Sequence, residues 1–414
     1  MPVPSTSLPE CARYIPPPTT QENLDFADLA IIDLAKAQTP EGRAELYPEV
    51  RDALRSNGFV YAINHGYTQA QRDRIFDIAD VPFTVVPPDE MKTYTANIAK
   101  VGYYQGYKAR RYWRVDTENQ VLDQIEHYGI NRNVYKRPHP QALRPLMPEI
   151  DAFARHNHTN VLQPILKLLA LSLELPEDTL VEKHKFDVAG ETAVRFMKYY
   201  KRSEEEEKLS KNVWLKGHTD VGSVTILWSQ PVGGLQILSK DGKWKWVRHI
   251  DNALVINTGD AMEFFSGGYY KPTIHRVVRP PGDQLAYDRL GVFYFSMPDD
   301  DVRLIPLVES PVLQRVGVER RCADEDAPLY EQWRKDRTTS YGRTELKKGT
   351  EKGVEEQIPY QEPYPLVTPK TPPPQSLEAA AEALEPNNLY QFAGPEDFPP
   401  PPQNPSPKKP TFNN

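Results

Sequence analysis

From residue 192 onward the chain alternates short apolar runs with turn signals, and this texture restricts the fold more than any other feature. The runs cover residues 193–200, 221–228, 235–238, 244–247, 253–257, 273–278 and 290–296. Between them stand Gly233-Gly234, Asp241-Gly242, Thr258-Gly259-Asp260, Gly267-Gly268 and Pro280-Pro281-Gly282. Runs this short do not make core helices, and glycine and proline between them reverse the chain. Many short strands in series predict a β-sandwich or jelly roll. The acidic stretch 203–208 between two of the runs reads as a solvated loop.

Upstream the periodicity differs. Residues 29–34 and 58–66 read as strands, and residues 41–56 as a helix with Leu46, Val50 and Leu54 on one face. A second helix is expected over 69–79, and Pro87-Pro88 restarts the chain at a turn. The longest helical pattern, 145–175, carries Leu162, Ile165, Leu166, Leu169 and Leu173 on one face and is expected to buttress a sheet. A further helix is predicted over 323–337. The expected organisation is α+β: an N-terminal α/β region (26–145), buttressing helices (146–190), a jelly-roll core (191–300) and a helical extension (301–356). Both ends are rich in proline, of which the chain has 41. Residues 1–25 read as an arm that is loose or ordered on contact, and 357–414 as a disordered tail with too little apolar surface to fold alone.

Composition narrows the function. A net charge of −7 gives no general attraction to nucleic acid or anionic membranes. Cys11 and Cys322 are too few for a disulfide framework or a metal cluster. The first residues lack a basic stretch followed by an apolar one, and the most apolar window, 161–175, is too short to span a bilayer. A cytoplasmic enzyme is the default expectation.

His218-Thr219-Asp220 precedes one of the strand-like runs. In extended chain, residues two apart project from one face, so one segment can aim an imidazole and a carboxylate at one point. His275, at the start of another run, is the candidate third ligand. Two histidines, one carboxylate and no cysteine suit Fe(II) with open coordination positions. The same set can hold zinc in a hydrolase, although the helical His-Glu-x-x-His pattern is absent. Residues 101–113 interleave tyrosines with cations, which reads as a loop lining a small-molecule pocket; Tyr107, Arg110, Arg111 and Trp113 are the substrate-side candidates. His65 reads as structural, His249 as a surface residue, Phe264 and Phe265 as core, and Glu331 and Arg334 as solvated.

Taken in order, the motifs resemble those of the iron(II)/2-oxoglutarate-dependent dioxygenases of the isopenicillin N synthase-like group. They are the segments 31–34, 58–66, 88–92, 102–103 and 123–128, then His218-Thr219-Asp220, Gly233-Gly234-Leu235-Gln236, Asn257-Thr258-Gly259-Asp260 and His275-Arg276-Val277. The resemblance implies a double-stranded β-helix, with His218, Asp220 and His275 holding Fe(2+). It also implies 2-oxoglutarate as cosubstrate, O2 as oxidant, ascorbate as a supporting reductant, and oxidation of a small organic substrate, in secondary metabolism among other settings. The family's Arg-x-Ser anchor for the far carboxylate falls on Arg289-Leu290-Gly291, so the serine is missing. Its Arg-x-Asn-x-Tyr-Pro stretch falls on residues 195–200, making Tyr199 the second contact, or Tyr200 if the register slips by one. Two alternatives remain open here: an iron oxidase working without 2-oxoglutarate, and a scaffold whose Pro-rich tail docks a protein module.

Overall fold

The computed structural model describes residues 8–340 apart from 117, 118, 319 and 321, together with the short strands 346–348 and 355–357. Contacts divide the chain into two units, 1–370 and 371–414, and every described residue falls in the first. The predicted Pro-rich tail, Gln357 apart, lies outside the described residues.

The N-terminal region follows the predicted α/β order. β1 (Ile31–Asp33) leads into α1 (Pro40–Asn57), which Thr39 caps by accepting from the Gly42 amide and whose Leu46, Val50 and Leu54 are buried. β2 (Phe59–Ile63) follows and pairs parallel to β1. α2 (Gln69–Thr84) opens on a reciprocal Thr68–Gln71 capping box and runs five residues past its expected end. After α3 (Pro88–Thr93) and α4 (Ile98–Val101), the aromatic and cationic stretch is not wholly loop. It forms β3 (Gly106–Lys108) and, with β4 (Arg114–Asp116) and β5 (Val121–Leu122), leads into β6 (Ile125–Asn131), which pairs antiparallel with β3.

The long helical pattern is realised as α5 (Met147–His156) and α6 (Gln163–Ser172), joined by a π-helical turn over Asn157–Leu162. Pro164 supplies the reason: it has no amide hydrogen to donate, and the chain widens in the turn before it.

The core strands are β7 (Ala193–Tyr199), β8 (Val213–His218), β9 (Val224–Trp228), β10 (Leu235–Leu238), β11 (Trp244–Trp246), β12 (Leu254–Thr258), β13 (His275–Val278) and β14 (Arg289–Ser296). They form two facing sheets, ordered β1-β2-β12-β9-β14-β7-β6-β3 and β11-β10-β13-β8, the second extended beyond β8 by β16 (Glu355–Gln357) and β15 (Leu346–Lys348). This is the double-stranded β-helix. Strand alternation assigns the faces. In β14, Leu290, Val292 and Tyr294 join the core cluster that includes α1, α2, α5 and α6, whereas Phe293 belongs to the cluster inside the barrel with Met197, Tyr199 and Leu227.

Two local expectations are corrected. The acidic stretch is a helix, α7 (Glu204–Leu209), because Ser203 Oγ accepts from the Glu206 amide and starts a turn. That turn buries Glu207 against the Trp214 indole, whose Nε1 donates to it at 2.7 Å. Beyond α8 (Asp260–Phe265) and α9 (Pro311–Val316), the predicted 323–337 helix begins only at Tyr330, as α10 (Tyr330–Ser340), after a single 3-10 turn at Asp324–Asp326. Of the two readings of the N-terminal arm, ordering on contact describes its residues 8–25, which lie against the barrel. Thr20 Oγ1 and the Gln21 amide donate to Asp283, Lys245 pairs with Asp25 at 2.6 Å, and Phe26 bridges Trp246.

Candidate active site

β8 and β13 are antiparallel neighbours, and His218 and His275 stand directly opposite in their register. The ring centroids are 4.4 Å apart. Each ring is oriented by its own backbone: His218 Nδ1 lies 2.9 Å from Lys216 O and His275 Nδ1 lies 3.1 Å from Thr273 O. A proton on Nδ1 leaves each Nε2 lone pair facing inward. The Asp220 Oδ1 atom lies 3.8 Å from one Nε2 and 3.7 Å from the other. Its second oxygen is already engaged, accepting from Thr225 Oγ1 at 2.7 Å and from Asn257 Nδ2 at 2.8 Å. All three donor atoms fall within 4.8 Å of one another. Two imidazole nitrogens and one carboxylate oxygen converging in this way fit a divalent metal and leave one side of it open.

Electrostatics agree. Burial, with His275 alongside, pushes the His218 imidazole down to about 3, so the ring is neutral. Burial pushes the Asp220 carboxyl up, but His275, His218 and the bonds from Asn257 and Thr225 outweigh it and hold the group below its ordinary range. The Asn257–Asp260 motif also has a geometric reason. A Cβ on Gly259 would stand 2.6 Å from the Asp220 carbonyl oxygen, so only glycine lets this turn close against the Asp220 loop.

A cavity opens from the triad into the barrel, with room for about 100 Å³ of solvent. Arg289 lies on its wall, 3% exposed, on β14 opposite Tyr199 of β7. Its Cζ sits 5.2 Å from the Tyr199 ring centroid, and its Nε and Nη1 have no partner. Burial pulls its pKa down and pushes the Tyr199 phenol up to about 12. Arg289 stays a cation and Tyr199 a neutral O–H donor. A buried guanidinium with unpaired nitrogens is costly unless an anion joins it, and the donor set fits a carboxylate.

Two family models match the chain. Residues 191–298 match the 2OG-Fe(II) oxygenase superfamily, and 29–149 match the N-terminal region of the non-haem dioxygenases of morphine synthesis. The chain belongs to the 2OG-Fe(II) oxygenase superfamily. It is similar to the UPF0676 protein C1494.01 of Schizosaccharomyces pombe, 28% identical over 68% of this chain and 85% of that protein. It is also similar to the 2-oxoglutarate-Fe(II) type oxidoreductase hxnY of Emericella nidulans, at 27% over 70% and 83%. Among solved structures, a full-length Neurospora crassa protein in complex with alpha-KG superposes with a TM-score of 0.64 at 20% identity, covering 77% of this chain and 99% of that one. JOX2 in complex with 2OG, Fe and JA gives 0.57 at 22%, covering 76% and 87%. The oxygenase is therefore an oxidoreductase that uses Fe(II) and 2-oxoglutarate to oxidise a small organic substrate.

The other sequence candidates separate. Of the four proposed for the substrate side, only Trp113 lines the cavity. Tyr107 is turned away and donates to Glu126 Oε1 at 2.6 Å. Arg110 stacks over Tyr200 at 4.6 Å, and Arg111 is exposed in a left-handed turn with φ 63°. Tyr107 lies in β3 and pairs with Tyr128 of the outer core, whereas Arg110, Arg111 and Trp113 follow in the bend between β3 and β4. His65 is buried and bonds Asn252 O. His249 is not a surface residue: it is clamped between Ser229 Oγ at 2.7 Å and Asp251 at 2.9 Å. Arg334 is not solvated either, being 2% exposed with Nη1 donating to Gly102 O at 2.6 Å. Glu331 pairs with Lys335, and Phe264 and Phe265 are core. Among the described residues no helix is long and apolar enough to cross a membrane.

Proposed function

We propose that His218, Asp220 and His275 are the protein ligands of the iron, and that Arg289 with Tyr199 holds the far carboxylate of 2-oxoglutarate. The observation that carries this reading is the placement of the partnerless Arg289 guanidinium and the His-Asp-His cluster on one cavity. When bound, iron and 2-oxoglutarate supply the coupling of oxidative decarboxylation, to succinate and CO2, to a two-electron oxidation of the substrate. The chain's own groups do the positioning. Thr225 and Asn257 fix the rotation of Asp220, and the Lys216 and Thr273 carbonyls fix the two imidazoles. Arg289 and Tyr199 orient the cosubstrate through paired N–H and O–H donors, and Phe59, Leu227, Leu235 and Phe293 exclude water around it. Substrate enters on the Trp113 side. The site of action is the cytosol, and the Pro-rich 357–414 segment serves a partner protein rather than turnover, so its deletion leaves turnover intact.

The test is succinate formation from 2-oxoglutarate with Fe(II), ascorbate and oxygen. His218→Ala should reduce it to background. Turnover surviving that change would remove His218 from the metal site.

A further inference from the structure

On the Trp113 side the cavity carries a charged group that iron and cosubstrate do not use. Its charged lining residues are Asp220, Arg289 and Arg195. Asp220 serves the metal and Arg289 the cosubstrate. Arg195 lies four residues from Tyr199 along β7, about 13 Å at strand rise. A five-carbon diacid held by Arg289 and the metal does not reach it. The Arg195 Cζ lies 4.7 Å from the Tyr104 ring centroid and 4.2 Å from that of Phe295, between two aromatic faces.

Beside it stands an unexplained group. His127 of β6 pairs across the sheet with Met197, so its ring points to the cavity side. It is fully buried, and neither Nδ1 nor Nε2 has a partner. The rings of Tyr104 and Trp113, both in the cavity wall, cover it at centroid distances of 5.7 and 5.8 Å. Burial first, then Arg195 and Lys108, hold its imidazole well below the ordinary range. It is thus a neutral ring with one donor and one acceptor unused. Buried polar groups are rarely left without a partner, and in a cavity wall a bound ligand can supply one.

We infer that the substrate is a planar organic monoanion whose acid group accepts a hydrogen bond from His127 and lies against the Arg195 cation, its ring stacked among Tyr104, Trp113 and Phe295. The inference rests on Arg289 serving the cosubstrate, since it is this that leaves the Arg195 end of the cavity to the substrate. Reaching His127 requires Trp113 or Tyr104 to turn aside, so binding alters Trp113 fluorescence, with Trp113→Phe as the control.

The experiment uses the full chain loaded with Fe(II) and 2-oxoglutarate under argon. It is titrated with benzoate, cinnamate and 2-naphthoate and with the neutral amide of each. At least one acid should bind ten-fold or more tighter than its amide. Arg195→Gln should erase that preference and Arg195→Lys retain it. His127→Phe should weaken the acid about ten-fold, the scale of one hydrogen bond to a charged group, and His127→Gln should restore most of it. Affinity for 2-oxoglutarate should be the same in all variants, which shows that they are folded. No acid preference anywhere in the panel, or full acid affinity in His127→Phe, overturns the inference while leaving the iron and cosubstrate assignment standing. Failure of the wild-type chain to bind 2-oxoglutarate overturns both.

Discussion

Arg289→Ala removes the group proposed to neutralise the inner carboxylate. In the wild-type chain Arg289 is 3% exposed, so the proposed pair would be a buried one. Truncating one partner of a buried, hydrogen-bonded charge pair costs about 2–5 kcal/mol, which at about 1.4 kcal/mol per decade is a loss of roughly 30- to 4,000-fold in 2-oxoglutarate affinity. The free protein responds in the opposite sense. With no cosubstrate the wild-type guanidinium has Nε and Nη1 unpaired, and alanine relieves that penalty. Arg289→Ala should therefore unfold at no lower temperature than wild type without ligand, and lose the rise in Tm that 2-oxoglutarate gives the wild type. The assay is calorimetric titration of 2-oxoglutarate into anaerobic protein loaded with Fe(II), alongside thermal unfolding with and without the ligand. Binding within three-fold of wild type would refute the assignment and send the search for the anchor elsewhere in the barrel.

Other perturbations follow from the same geometry. Asn257→Leu or Thr225→Val strips one donor from Asp220 Oδ2, and each should weaken Fe(II) binding about 10- to 100-fold; unchanged anaerobic metal titrations would show that the carboxylate needs no such support. Gly291→Ser should destabilise the fold by about 1–3 kcal/mol, because a Cβ there would stand 2.6 Å from Phe293 Cε2; the urea midpoint reports it, and Phe293→Ala in the same chain should recover part of the loss. The third is an acid dependence. Burial pushes His156 and His158 down to about 4 and His184 to about 3. These folded values lie below the ordinary value of about 6.5, so the unfolded chain takes up protons first. Stability should be complete above pH about 6.5 and fall toward pH 4, each histidine adding up to about 1.4 kcal/mol per pH unit. Equal urea unfolding energies at pH 7.5 and 5 would contradict this.

The convergence of His218, Asp220 and His275 was legible in the sequence because its logic is local: a two-residue spacing in extended chain, and a histidine opening another strand. The barrel was legible because glycine and proline punctuate it. What escaped depended on pairing between distant segments. The 125–131 strand carries few strand signals of its own, with Glu126, Gly129 and Asn131 among its residues, and only its register against β7 brings His127 under Met197. Asn257 stood in a recognised motif, but its task became visible only when β12 lay beside β9 and set it against Asp220. Helix α7 is hidden in the sequence because a run of glutamates reads as solvated, whereas the capping serine and the Trp214 indole decide its state. Gly291 departs from the family's serine, and the reason lies two residues on. The Phe293 ring occupies the space a side chain at 291 would need, so the change is a trade of a hydroxyl for an apolar wall.

The arm at residues 19–24 lines, with Trp246, His249 and Arg289, a separate cavity of about 370 Å³ on the far side of the guanidinium. Its anchor, Asp283, lies 263 residues downstream of Thr20. At about 5–20 residues per second of synthesis, the arm waits roughly 13–50 s for its partner to be made. The stopper of the barrel is thus translated well before the residue that holds it. Until it docks, the Arg289 guanidinium is open to water from behind.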